Sequence, residues 1–236
     1  MLRLETLGGL VLAGDSGTPL PIQRRRLALL ALLSTAAKRG VRRDKLVSVL
    51  WPESPEAKAR HALEQLIYSL RQERDEPLVA GPDPLRINHH VLAVDVAEFE
   101  AALDNNLLAE AVRLYRGPFL DGFYLSGAPE FENWAESERT RLAGLNRAAL
   151  DRLARELAGR GAHAAAVDVW RKLVLVDPLS SNAVLGLMRC MAELGDRSGA
   201  WREGIAHEGL VRRELGREAD PGVRSLLAEL GAANRG

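Results

Sequence analysis

Apolar residues in the first 22 positions come in short, interrupted runs. LRLETL, LVLA and PLPI are separated by Gly8-Gly9 and by GDSGTP, a pattern that predicts a small antiparallel sheet. From Arg24 the apolar period lengthens to that of a helix. Leu27, Leu30, Ala31 and Ser34 lie near one face, and Lys38-Arg39-Gly40 forms a natural stop. RRDKLVSVLW reads as a short second helix with Leu46, Val49 and Leu50 apolar, closed by Pro52. SPEAKARHALEQLIYSLRQER then starts with Ser54 as N-cap and Pro55 in the first turn. At 3.6 residues per turn, Ala59, Leu63, Leu66, Ile67 and Leu70 share one stripe. Two β-favourable pieces flank the turn-rich AGPDP, which predicts a hairpin. Sheet, three helices and hairpin is the order of a winged helix.

Past Asp95 the pattern becomes continuously helical, which puts a domain boundary near residues 93–97 and divides the chain into residues 1–96 and 97–236. VAEFEAAL, LLAEAVRLY and APEFENWAESERTRLAGLNRAALDRLARELAG are amphipathic, and RGPFLDGFYLSG between them is a Gly/Pro/aromatic loop. Further on, GAHAAAVDVWRKL from Gly161 aligns with GDRSGAWREGIAH from Gly195, an offset of 34 residues that sets Ala166 over Ala200. Helix–turn–helix units of that period indicate a TPR-like array, although two helical hairpins of equal length can mimic one. The fold class expected is mainly α with small β elements, a winged helix-turn-helix followed by an all-α TPR-like domain.

Composition adds limits. The 236 residues are 47% hydrophobic and 27% charged, as in a soluble globular protein. No apolar run reaches transmembrane length and the N-terminus lacks the pattern of a signal peptide, so a cytoplasmic protein with no membrane partner is expected. Cys190 is the single cysteine, which excludes an internal disulfide and a cysteine-based zinc site. A formal net charge of zero conceals an asymmetry: residues 1–90 hold 14 Lys/Arg against 10 Asp/Glu, and the remainder 18 against 22. Within residues 24–45 eight basic residues face one acid, Asp44. Such an excess suits a phosphate-contacting surface and also occurs on ordinary solvated faces.

LRLETLGGLVL and LPIQRRRLALLALLSTAAKRGVRRDKLVSVLWP resemble the OmpR/PhoB-like DNA-binding domain of SARP-type bacterial activators. VDVAEFEAAL, AVRLYRGPFLDGF, ESERTRL and DPLSSNAVLGLM resemble the bacterial transcriptional activator domain, BTAD, that follows it in that family, and ELGREADPGVRSLLAEL its closing helix. Two departures stand out. Ser180-Ser181 follow DP-Leu where an acid is common, and His207 or Glu208 stands near a usual aromatic. The resemblance implies a transcription factor that binds double-stranded promoter DNA at tandem sites, as a homodimer or head-to-tail pair, and recruits RNA polymerase holoenzyme. It implies no cofactor. No Walker loop is present, so an attached NTPase is not expected in this polypeptide.

The face of the third helix opposite its apolar stripe carries Lys58, His61, Gln65, Tyr68 and Gln72. A helix fits the major groove, about 12 Å wide, and on that face Gln65 and Gln72 can pair with adenine while His61 and Tyr68 offer hydrogen bonds and apolar contact. Lys58 reaches guanine or phosphate. Arg60 and Arg71 flank the face and suit the backbone. The acids Glu53, Glu56, Glu64 and Glu73 are assigned no base: Glu64 pairs with Arg60, and Glu53 and Glu56 favour the helix dipole. Arg42, Arg43 and Lys45 at the start of the second helix, Arg24 and Arg25 at the first, and Arg86 on the wing are the other phosphate candidates. The same helix face also reads as an ordinary solvated surface.

Catalytic patterns are missing. His89 and His90 are adjacent and point apart on a strand, and His61, His163 and His207 lack metal-ligand spacing. There is no G-x-S-x-G elbow or Cys–His motif, and Cys190 between Met188 and Met191 belongs to a core. An enzyme is not expected. The alternative is an interaction protein whose TPR-like half binds a partner and whose winged helix no longer binds DNA.

Overall fold

The computed structural model describes the chain except residues 15, 37–38, 73–75 and 234–236; Lys38 and Glu73 therefore lie outside the described residues. Two compact units are present, Met1–Gly144 and Leu145–Gly236.

In the first unit, β1 (Leu2–Glu5) pairs antiparallel with β2 (Val11–Ala13), as the alternating pattern requires. Its other edge takes β5 (Leu92–Val94) in parallel, with Leu2 opposite Leu92 and Leu4 opposite Val94. Three helices follow β2: α1 (Arg24–Ser34), α2 (Arg43–Leu50) and α3 (Glu56–Gln72). The expected single apolar face on α1 is too narrow. Ala28 through Ser34 are all buried, because α2, α3 and β4 (Arg86–Ile87) each contact this helix, whereas Leu27 stays partly exposed. β3 (Val79–Ala80) and β4 form the hairpin around AGPDP, with Val79 opposite Ile87. A bridge from Val41 to Leu85 ties the hairpin to the chain entering α2, through N–H···O bonds of 2.8 and 2.9 Å. Gly40 makes that approach possible. It sits at φ +69°, and a Cβ there would stand 2.5 Å from the Leu85 carbonyl oxygen.

The unit continues through α4 (Asp95–Asp104) and α5 (Leu108–Leu114) into the first half of α6 (Pro129–Gly159). The reason lies in Asp95, which is fully buried at the β5–α4 junction. Its carboxylate accepts from Thr6 N at 2.8 and 2.9 Å, Thr6 Oγ1 at 2.6 Å, Leu7 N at 3.0 Å and Val96 N at 2.8 Å. The strand that opens the chain is thus held by the first residue of α4, 89 positions away. RGPFLDGFYLSG is a plug in this unit. Phe119 and Leu120 are buried, Leu120 N donates to Thr6 O at 2.8 Å, and Arg139 of α6 donates to the Phe119 and Leu120 carbonyls at 2.8 and 3.2 Å.

In the second unit α7 (His163–Val176), α8 (Ser181–Glu193), α9 (Arg197–Leu215) and α10 (Pro221–Ala233) pack in sequence order. The 34-residue offset has a structural counterpart. Gly161 and Gly195 both turn at positive φ, +75° and +85°, and Ala166 and Ala200 are both fully buried. The two departures from the family pattern bond to each other: buried His207 contacts Ser181 Oγ through Nε2 at 3.1 Å and the Pro178 carbonyl through Nδ1 at 3.2 Å. Ser180 caps α8 by accepting from Ala183 N.

Candidate nucleic-acid interface

α3 is the element on which the base-reading expectation rests, and its sequence forces a division of faces. The five apolar positions, Ala59, Leu63, Leu66, Ile67 and Leu70, are the five buried ones. Lys58, His61, Gln65, Tyr68 and Gln72 are all exposed and fall in one stripe on the other side, Tyr68 being 67% exposed. His61 and Gln65 touch, Nε2 to Nε2 at 2.9 Å, so the imidazole nitrogen accepts from the amide and Gln65 keeps its carbonyl oxygen and one N–H for a ligand. Glu64 has no partner among the described residues.

The expected Arg60–Glu64 pair does not form. Arg60 turns to Glu56, at 2.8 and 3.0 Å, and to Asp44 of α2 at 2.9 Å, and these acids hold its guanidinium above its ordinary pKa, Glu56 most strongly. An acid one turn N-terminal to the arginine is the better helical geometry, and Asp44 adds a second charge that Glu64 cannot match. Asp44, read as the one acid in a basic run, joins α2 to α3.

The remaining cations sort by what already holds them. Arg43 donates from Nε to the Pro82 carbonyl at 2.8 Å, and its backbone N–H is taken by Asp83 Oδ1 at 3.0 Å. Asp83 therefore occupies the start of α2, where a phosphate was expected. Arg71 donates to the Gly81 carbonyl at 2.8 Å, so both arginines clamp the hairpin turn. Arg24 donates to the Tyr124 carbonyl at 2.6 and 3.2 Å with its guanidinium 4.6 Å from the Phe123 ring centre, and Arg25 lies over Trp51 at 5.6 Å. Arg42, Lys45 and Arg86 are exposed and have no side-chain partner among the described residues. Arg39 is in the same condition and was missed; its place beside Gly40 made it look like a helix stop. Hairpin pairing and the Val41–Leu85 bridge bring Arg86 to the segment that carries Arg39 and Arg42. An exposed polar helix face can take base edges, and four unpaired cations in the same unit can take phosphates.

No group of three or more His, Cys, Asp or Glu arranged to hold a metal occurs among the described residues, and no described helix is long and apolar enough to cross a membrane. Cys190 is buried, and burial pushes its thiol pKa up. A neutral thiol is a poor nucleophile.

The family model for the bacterial transcriptional activator domain matches residues 92–230. Among solved structures the chain is similar to Mycobacterium tuberculosis EmbR in complex with a low-affinity phosphopeptide, with a TM-score of 0.71 and 23% sequence identity. That alignment covers 98% of this chain and 65% of the EmbR chain, and at such identity it carries the fold. Comparison with curated proteins gives no match.

Proposed function

The chain belongs to the bacterial transcriptional activator domain family, and from that premise we propose that it is a SARP-type transcriptional regulator that reads double-stranded promoter DNA through α3 as an activator. Residues 1–96 are the reading module. Residues 97–236, TPR-like, contact RNA polymerase holoenzyme or a second copy on an adjacent tandem site. The functional boundary differs from the packing boundary at Gly144, because Asp95 and the aromatic plug brace the reading module from behind.

One observation carries the reading: Lys58, His61, Gln65, Tyr68 and Gln72 are co-facial and exposed on α3, in the same unit as Arg39, Arg42, Lys45 and Arg86, whose exposed side chains have no partner among the described residues. α3 supplies base contacts with mostly neutral side chains, and the loop, α2 and hairpin cations supply phosphate contacts. Arg24, Arg25, Arg43, Arg60 and Arg71 act first on the protein itself and approach the backbone from positions those contacts fix. The phosphopeptide belongs to EmbR, 65% of which is spanned, and no phosphopeptide site is assigned to this chain.

The test uses the full chain and a mixed-sequence duplex in fluorescence anisotropy across a salt series. The logarithm of affinity should fall linearly with the logarithm of salt, by about 0.9 per phosphate neutralised. Arg42→Ala or Lys45→Ala should each lower that slope by about 1 and weaken all sequences alike. Absence of binding at low salt would refute DNA reading and leave the second reading, an interaction protein with a silent winged helix. That reading draws on the engagement of five candidate cations inside the fold.

A further inference from the structure

A cavity of about 210 Å³ opens among α6, α7 and α8, within the unit 145–236. Its floor is apolar. Trp170 is 4% exposed, Leu185 lies beside it, and Cys190 is kept neutral by burial. Gly186 lets the α8 backbone pack directly on the indole: a Cβ there would stand 2.5 Å from ring carbons of Trp170. The Trp170 N–H is buried with no nitrogen or oxygen acceptor. The rim is polar. Arg155, Asn182 and Arg189 are exposed, and none of the lining residues is a carboxylate. Arg155 is bound to Asp151 at 2.8 and 3.1 Å, whereas Arg189 and Asn182 have no side-chain partner among the described residues.

We propose that this groove docks a short acidic segment of a partner protein. An apolar side chain rests on the partly exposed Leu185, over the little of Trp170 that is open, and a carboxylate next to it in the partner pairs with Arg189 and accepts a hydrogen bond from Asn182. Charge complementarity selects this occupant. A basic segment would meet Arg189, while Arg155 is held by Asp151, and a partner carboxylate against unpaired Arg189 gives the charge-assisted bond that arginine makes best. A nucleic-acid strand fits poorly, because strand binding uses a track of several cations, and at this rim Arg155 is already held by Asp151. The groove lies on α6–α8 and does not use α3, so failure of DNA reading leaves it standing, and its own failure leaves DNA reading intact.

The test is a titration of the isotopically labelled full chain with two capped dipeptides, N-acetyl-leucyl-glutamate amide and N-acetyl-leucyl-lysine amide, followed by NMR. The acidic dipeptide should shift the Trp170 indole and Asn182 side-chain signals and saturate at about millimolar concentration, as expected for so small a ligand. The lysine dipeptide should bind about tenfold or more weakly, the size of one ion pair gained and one repulsion added. Arg189→Glu, a change at an exposed position, should erase or reverse the preference with the amide spectrum otherwise unchanged. Equal shifts with both dipeptides, no saturable shift at Trp170, or an Arg189→Glu protein that still prefers glutamate would each overturn the proposal.

Discussion

Replacing Asp95 by asparagine tests how the first unit is braced. The side chain keeps its size, but one carboxylate oxygen becomes an N–H₂ group. The oxygen that accepts from Leu7 N also accepts from Thr6 N at 2.9 Å and lies 3.5 Å from Arg116; the other accepts from Thr6 N, Thr6 Oγ1 and Val96 N. In the variant at least one buried donor, Leu7 N–H, faces another donor, at about 1–3 kcal/mol. The surviving bonds fall from charge-assisted to neutral strength, a loss of about 1 kcal/mol each. Relief of the buried charge offsets part of this, so the net destabilisation should be about 3 kcal/mol. Urea unfolding should show the first unit melting about 1–2 M earlier, with amide hydrogen exchange placing the loss at Thr6, Leu7 and the strand they end. A control at the half-exposed Arg3–Glu98 pair, Glu98→Gln, should cost at most about 1 kcal/mol. If Asp95→Asn moved the midpoint no more than that control, the carboxylate would not be the brace.

Three other outcomes are expected. Gly40→Ala should destabilise the first unit by more than about 1 kcal/mol, since the left-handed backbone and the 2.5 Å approach to Leu85 both resist a Cβ; an unchanged melting temperature would contradict the bridge. Arg60→Ala should loosen the α2–α3 junction through Asp44 and Glu56 and weaken DNA binding, while Glu64→Ala should leave stability unchanged, a contrast that thermal melts and duplex binding measure. Cys190 should react with a thiol reagent near neutral pH far more slowly in the folded chain than in urea, because burial both raises its pKa and shields it; equal rates would place the thiol at the surface.

Local pattern and long-range contact differ in how far they can be read from sequence. The stripe of α3, the hairpin around AGPDP and the 34-residue offset were legible because helical period, turn chemistry and glycine stops act over a few residues. The all-round burial of α1 was not, since it depends on three elements packing on one helix. The parallel pairing of β5 with β1 joins segments about 90 residues apart, and neither strand's composition names its partner. The same holds for Asp95, which looks like any helix-start acid until Thr6 is brought to it. Arginines were the hardest group to sort. Arg24 and Arg42 are alike in sequence, yet the side chain of one meets Tyr124 at a separation of 100 residues and that of the other has no partner among the described residues. Charge density therefore located the basic segment but did not separate structural arginines from free ones.

Selection of bound fragments from a pool of random duplexes, run in parallel on the native chain and on Gln65→Ala, tests the central claim most directly. The account predicts a repeated motif for the native chain and, for the variant, loss of preference at one base position per repeat, about 1–3 kcal/mol of discrimination there, with the other positions kept. An identical motif from both proteins would show that the exposed face of α3 does not read bases.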